Sequence, residues 1–227
     1  MLVDISKKQY RGYFHTDHSP FISEAFIQLV ENKTGEIFRL IEENDMSIGL
    51  ILGSKDNVLC SPFSAPFGGF HYQHEHLPYD TVFNFLSNLK VFVTEQGFNR
   101  VNITLPPTIY QNNMNAKFVN AFIRMGFTMA TPDIQNCVNL KNFDGTWIKG
   151  TVAQNCRKAI KNQLSCSIVT DKKSMQDAYE VILRNRVEQE REIHMTLDDL
   201  LKVNEIFPVD FFLVEDNMGC GIGAGIF

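Results

Sequence analysis

Three closely spaced runs of the chain, Ile37–Glu42, Met46–Leu52 and Val58–Ser61, read as β-strands. The breaks between them, at Asn44-Asp45 and Lys55-Asp56-Asn57, carry turn residues, so the runs predict an antiparallel meander. Ahead of it, Ser19-Pro20 and Ser23-Glu24-Ala25 predict a short capped helix, and Ile5 to Phe14, mixed in charge and aromatic content, reads as a lead-in segment. After a long loop, Val82, Phe83, Leu86, Leu89, Val91 and Val93 recur at mostly helical spacing. With Pro78 before them and Gly97 after, they predict a helix over Tyr79–Gln96 of about five turns. Val101, Ile103 and Leu105 alternate in a strand, Arg100–Leu105, that halts at Pro106-Pro107, where the ladder cannot continue. This strand is predicted to lie parallel to Val58–Ser61, joined by a right-handed crossover. A second helix over Asn115–Met125 places Phe118, Val119 and Phe122 on one side and stops at Gly126. A strand over Asp133–Leu140 completes the order β-β-β-α-β-α-β.

Asn142-Phe143-Asp144-Gly145 is then the natural boundary, dividing a first unit, 1–143, from a second, 144–227. Trp147, the large aromatic just after that turn, is expected to pack at the junction. Beyond it the pattern predicts a basic helix from Trp147 to Asn162, a strand Cys166–Thr170, helices Ser174–Glu190 and Leu197–Glu205, and a hairpin of Phe211–Val214 with Ile222–Phe227. The fold class is α/β, more closely an α+β arrangement with a mixed sheet. No repeat with a period of 20–50 residues is visible, which sets solenoids and propellers aside.

Composition narrows the picture. With 44% hydrophobic residues, including 19 Phe, the chain can bury a sizeable core and lacks the signature of disorder. A formal net charge of -5 argues against a broad footprint on duplex nucleic acid, so any anion site is local. No window approaches the roughly 18 apolar residues of a membrane span, and the N-terminus has no apolar stretch of a signal peptide, so a cytoplasmic location is expected. The five cysteines are scattered without a C-x-x-C pair and suggest neither a disulfide framework nor zinc. They are expected to be small buried apolar residues.

The candidate site follows from topology. If Val58–Ser61 and Arg100–Leu105 are parallel neighbours, the loops leaving their carboxyl ends face one rim, where open α/β sheets tend to bind ligands. The first loop offers Ser61, Phe63, Ser64, Phe67, Gly68 and Gly69; the second offers Thr108, Tyr110 and Gln111. Glycines let a ligand approach main-chain donors. The alternative is that Phe63, Phe67 and Phe70 plug the end of the sheet. His71, His74 and His76 invite a metal reading, but they lack the i, i+4 spacing of a zinc helix. A solvated loop with Tyr72 and Glu75 explains them adequately, and a histidine there is alternatively a general base. Arg157, Lys158 and Lys161 on one helix, with Arg184 and Arg186 on the next, form either a phosphate or carboxylate pocket or a solvated basic face. Alternating Gly219, Gly221, Gly223 and Gly225 fit a strand with a flat face better than a phosphate loop, since no helix follows. Glu188, Glu190, Glu192, Asp198 and Asp199 read as a solvated face with a helix capped at Thr196. No nucleophile motif is present, and no catalytic residue is assigned.

Two segments, Ser61-Pro62-Phe63-Ser64-Ala65-Pro66-Phe67-Gly68-Gly69-Phe70 and Asn155-Cys156-Arg157-Lys158-Ala159-Ile160-Lys161, together resemble the FemAB-like branch of the GNAT, or acyl-CoA N-acyltransferase, superfamily. The resemblance implies tandem GNAT-fold units, here one complete and a second that begins near Arg157. It implies transfer of an acyl or aminoacyl group from coenzyme A or charged tRNA to an amine, often on a cell-envelope precursor. A non-catalytic binding or scaffold module that keeps the fold is the alternative. Two departures from the family pattern bear on cofactor use. The Gln/Arg-x-x-Gly-x-Gly/Ala pyrophosphate loop is missing from the first unit, where Ala65-Pro66-Phe67-Gly68-Gly69 takes the corresponding place, and the second unit reaches only its third strand at Phe227. The chain alone is therefore expected to bind no cofactor, to miss acetyl-CoA in the usual GNAT mode, to have little or no acyltransferase activity, and to self-associate through the edge strand Ile222–Phe227.

Overall fold

The computed structural model describes residues 1–15, 19–134, 141, 143–144, 146, 150–193 and 195–227. They divide between two compact units, Met1–Cys137 and Val138–Phe227.

The first unit is a mixed sheet with helices packed on it. The meander forms as its pattern demands: β2 (Ile37–Glu42), β3 (Asp45–Lys55) and β4 (Val58–Ser61) are successively antiparallel. Asp56 and Asn57, with φ of 49° and 62°, make the two-residue turn between Lys55 and Val58. Both positive angles match the turn type whose twist suits a hairpin. Ahead of the meander, β1 (Leu2–Asp4) adds to the outer side of β2, and α1 (Lys7–Tyr13) follows. The segment read as a lead-in is thus structured, and its signal was the capping box Ser6-Lys7-Lys8-Gln9. The Gln9 N–H donates to Ser6 Oγ while the Ser6 N–H donates to Gln9 Oε1. A 3₁₀ turn at Pro20–Ile22, capped by Ser19, leads into α2 (Glu24–Val30), capped by Ser23.

The crossover helix α3 (Tyr79–Glu95) ends at Gly97, whose φ of 75° stops the helix. It carries the chain to β6 (Arg100–Ile103), which pairs parallel with β4 from Val58↔Arg100 to Ser61↔Ile103, as the pattern predicts. The strand is shorter than Arg100–Leu105 because Pro106 and Pro107 supply no ladder donor. Next, α4 (Asn112–Arg124) starts three residues before the predicted helix and stops at Gly126, φ 78°. Asp133 and Ile134 are not in a strand, and the rest of the strand expected over Asp133–Leu140 lies outside the described residues, as does Trp147.

The sheet separates two apolar clusters. Leu50, Leu52, Leu59 and Phe70 meet Val82, Phe85, Leu86 and Leu89 of α3 and Met114 and Phe118 of α4 in the larger one. Ile41 and Ile51 meet Tyr10, Phe14 and Ile27 in the smaller. Gly49 makes the second possible: a Cβ there would lie 2.5 Å from Tyr10 Oη and 2.8 Å from Phe14 Cζ.

The second unit comprises α5 (Gly150–Lys161), β7 (Ser165–Val169), α6 (Lys172–Glu188), α7 (Leu197–Ile206), β8 (Phe211–Glu215) and β9 (Gly221–Ile226). Its sheet runs β7-β8-β9, antiparallel throughout. Met175 and Ala178 of α6 pack on Phe211 and Leu213, with Leu197, Leu200 and Leu201 of α7 beside them. Thr196 caps α7 in a reciprocal box with Asp199, as expected. Gly221, Gly223 and Gly225 lie in β9.

Among the described residues no helix is long and apolar enough to cross a membrane.

Candidate functional site

The rim at the carboxyl ends of β4 and β6 is built around an interruption in one strand. β4 pairs with β3 as far as Gly53↔Cys60, and a short strand β5 (Phe70–Tyr72) resumes on the same partner at Leu50↔Phe70. Residues 62–69 therefore loop out of what is otherwise a single strand. The long loop of the sequence reading hides β5 because three residues, Phe70-His71-Tyr72, are too few to show a period.

The neck of this excursion is closed by β6. The Thr104 N–H donates to the Ser61 carbonyl at 2.8 Å, and the Gly68 N–H donates to the Thr104 carbonyl at 2.9 Å. Ser61 is buried, its Oγ accepting a long 3.5 Å bond from the Gly69 N–H. Two glycines are dictated by this closure. A Cβ on Gly68 would fall 2.7 Å from Pro62 N and 2.6 Å from Ser61 Oγ. Gly69 has φ of +117°, and a Cβ there would stand 3.0 Å from Pro106 Cδ.

The three phenylalanines divide between the two sequence readings. Phe70 is buried and stacks on Phe118 with ring centroids 3.9 Å apart. Phe63 packs with the Tyr10–Phe14 cluster, over Gly53. These two plug the sheet. Phe67 instead stands at the rim, edge-on to Phe21 at 5.1 Å and stacked on Tyr110 at 5.8 Å. Phe67 and Tyr110 thus bring the two predicted loops together. Ser64 is half-buried and Thr108 exposed. Tyr110 is 64% exposed, which leaves it available to a ligand.

Behind Tyr110, the chain turns into α4 through Gln111, which is buried and makes no capping bond. Asn115, one helical turn on, is buried too and donates from Nδ2 to the Pro106 carbonyl at 2.8 Å. Sequence reasoning passed over Asn115, although its i, i+4 relation to Gln111 was visible.

The histidines separate. His71 is buried on β5, its Nδ1 2.9 Å from Tyr10 Oη, with the Phe14 ring 5.5 Å away. It is a packed core group under α1, not part of a solvated loop. The neighbouring Tyr72 is also buried, and burial followed by the charge of Glu75 pushes its phenol up to about 12. His74 and His76 are exposed. Among the described residues no three His, Cys, Asp or Glu side chains gather to hold a metal ion. A cleft of about 380 Å³ opens beside the Tyr10–His71 pair, lined by Gly12, Tyr13, Phe14, His15, Tyr72 and Gln73.

Ala65–Gly69 follows the meander, but β5 intervenes before α3, so the segment that directly precedes the helix is Gln73 to Pro78. Lys117 Nζ donates to the carbonyls of Glu75 at 3.0 Å and Leu77 at 2.7 Å, tying this segment to α4. Pro78 precedes α3 as its N-cap residue and supplies no side-chain cap, and Asp80 lies in the first turn of the helix.

In the second unit Arg157 and Lys158 are exposed on α5, and Arg186 is half-buried in the last turn of α6. Arg184 donates to the Gly221 carbonyl at 3.1 Å, fastening α6 to β9. No hydrogen bond or ion pair among the described residues gathers Arg157, Lys158 and Arg186 into one cluster. Cys156, Cys166 and Cys220 are exposed and Cys60 half-buried, which corrects the expectation of buried cysteines; Cys137 lies outside the described residues.

No protein-family model matches the sequence, and no curated protein matches it at a significant level.

Proposed function

We propose that the chain is an acyl- or aminoacyl-transferase of the GNAT type, similar to the FemAB-like branch, with its ligand groove on the rim of Ser61, Ser64, Phe67, Gly68, Gly69, Thr108 and Tyr110. The observation that carries this reading is the excursion of residues 62–69 from a strand paired in parallel with β6, which sets one loop against the other through Phe67 and Tyr110. The element order supports it further: the meander, the crossover helix, the parallel strand and the helix after it follow the order expected of the first unit, with β5 added after the meander. Acyl transfer of this kind depends on positioning an amine against an activated ester or thioester and on backbone donors for the developing oxyanion. It needs few side chains, in keeping with a rim of aromatic rings and hydroxyls. The Gly68 and Gly69 N–H groups there are engaged by the Thr104 carbonyl and Ser61 Oγ, so an oxyanion donor would come from the rest of the two loops. The donor would be an acyl-CoA or aminoacyl-tRNA, and the acceptor an amine on a small molecule or envelope precursor, met in the cytoplasm.

A second reading, a non-catalytic binding module with the same fold, is favoured by the start of α3. Pro78 removes a donor and Asp80 opposes an anion where a carrier diphosphate would rest on a helix N-terminus. Mass-spectrometric detection of acylated amine, after incubation with acyl-CoA esters or charged tRNA, separates the two. Carrier-dependent product supports the transferase, and binding without turnover supports the module. We also propose self-association through β9, which lies at one edge of its sheet.

A further inference from the structure

We infer that the turn at Pro106–Tyr110 covers a site for a primary carboxamide, formed by Gln111 and Asn115 at the start of α4. Gln111 is 4% and Asn115 2% exposed, yet Gln111 Nε2 and Asn115 Oδ1 have no hydrogen-bond partner among the described residues. The bond from Asn115 Nδ2 to the Pro106 carbonyl fixes which end of that amide is left over. What remains is one donor on the N-cap residue of α4 and one acceptor on Asn115, whose N–H donates to the Gln111 carbonyl at 2.9 Å and so holds the two residues next to each other. Buried polar groups are nearly always paired, because an unpaired one loses its water without compensation. The amino-terminal end of α4 adds its own free N–H groups, and no acidic residue lies in its first turn.

The chemistry of the pair selects its ligand. A primary carboxamide presents a carbonyl oxygen and an N–H along one edge, so the oxygen accepts from Gln111 Nε2 while the N–H donates to Asn115 Oδ1. A carboxylate offers acceptors only and leaves Asn115 Oδ1 unpaired; an ammonium offers donors only and leaves Gln111 Nε2 unpaired. A trans secondary amide carries its two groups on opposite edges. Access is through the turn above. It is closed by a bond from the Tyr110 N–H to the Pro107 carbonyl at 3.0 Å, and Ile109 and Tyr110 at its tip are 59% and 64% exposed. Local opening of the tip, Thr108 to Tyr110, parts Tyr110 from Phe67 but leaves the Pro106 anchor to Asn115 in place. Pro106 also abuts Gly69, so the carboxamide site sits directly behind the excursion. The inference does not depend on acyl transfer and stands or falls separately from it.

The test is a titration of the ¹⁵N-labelled full chain with acetamide, following the side-chain NH₂ signals of Gln111 and Asn115. Saturable shifts of both signals are expected, with half-saturation in the millimolar range of so small a ligand. Acetate and N-methylacetamide should bind about tenfold more weakly or worse, for the loss of one hydrogen bond. Gln111→Leu should abolish the response at Asn115. If that variant does not fold, Gln111→Glu, which removes the donor and keeps the length, gives the same reading. The proposal is overturned by shifts that fail to saturate, by an equal response to acetate, or by an undiminished Asn115 response in the variant. It is equally overturned if Gln111 NH₂ shows a contact with one long-lived water that acetamide does not displace.

Discussion

Three residue-scale features test the first unit. The Glu24 carboxylate and the Arg39 guanidinium form a two-pronged pair, Nε to Oε1 at 2.6 Å and Nη2 to Oε2 at 3.0 Å, with side chains only 6% and 15% exposed. Burial pulls the Arg39 pKa down, but the bond to Glu24 and the charges of Glu24 and Asp4 outweigh it, so the net shift is upward. Removing one partner leaves the other charge buried, and Glu24→Ala should cost about 3 kcal/mol in urea unfolding. A double change, Glu24→Leu with Arg39→Met, should recover most of that loss; an equal loss in both variants would refute the pair's role. Tyr72 sets a pH dependence. Its phenol ionises at about 12 in the folded protein, above its ordinary value of 10. The unfolded chain therefore loses this proton first. Stability from this group is fully present below pH ~10 and is lost as pH rises toward ~12. Tyr72→Phe should remove that part of the alkaline decline in unfolding experiments at stepped pH, and an unchanged slope would contradict the assignment. Gly69→Ala places a Cβ at φ +117° and should destabilise by about 1–3 kcal/mol whether or not a ligand is present.

At the scale of elements, the meander, the crossover helix and the parallel pairing of β4 with β6 were legible because each spans enough residues to show a period and is bounded by Gly, Pro or Asn-containing turns. β1, α1 and β5 were not, since Leu2–Asp4 and Phe70–Tyr72 have three residues each and gain their partners only through the sheet. The Ser6–Gln9 capping box was the one local signal for α1 and it was passed over. The same holds for the site. Two loops on one rim followed from strand direction, but which phenylalanine faces outward did not, because Phe63, Phe67 and Phe70 differ only in the neighbours that the fold brings to them. The burial of His71 was hidden for the same reason: its partners Tyr10 and Phe14 come from 61 and 57 positions away. In the second unit, β9 pairs with β8 on one side, and its other edge meets no strand among the described residues. An open edge is a template for pairing. Sedimentation of the chain should show concentration-dependent association that Ile222→Lys weakens. Strict monomer behaviour, or association untouched by the charge, would exclude the edge as an interface.

For the whole molecule, the proposed transferase function requires the rim to hold an activated carrier or its acceptor. Acetyl-CoA itself should not bind at micromolar concentration in calorimetry, because α3 opens with Pro78 and Asp80 while Lys117 is engaged by two carbonyls. Micromolar binding would mean that the Gln73–Pro78 segment rearranges into a diphosphate site. The most direct test is thermal unfolding of the wild-type chain and of Tyr110→Ala against a panel of acyl-CoA esters, charged tRNA and sugar nucleotides. Tyr110 is largely exposed, so its loss should leave the unliganded protein near its original stability. A true ligand at 100 times its dissociation constant adds about 2.7 kcal/mol, a shift of several degrees. The proposed function predicts that charged tRNA, whose binding does not call on a diphosphate site at α3, gives this shift in the wild type and that Tyr110→Ala loses most of it. Stabilisation by none of the carriers, or the same shift in both proteins, would contradict it.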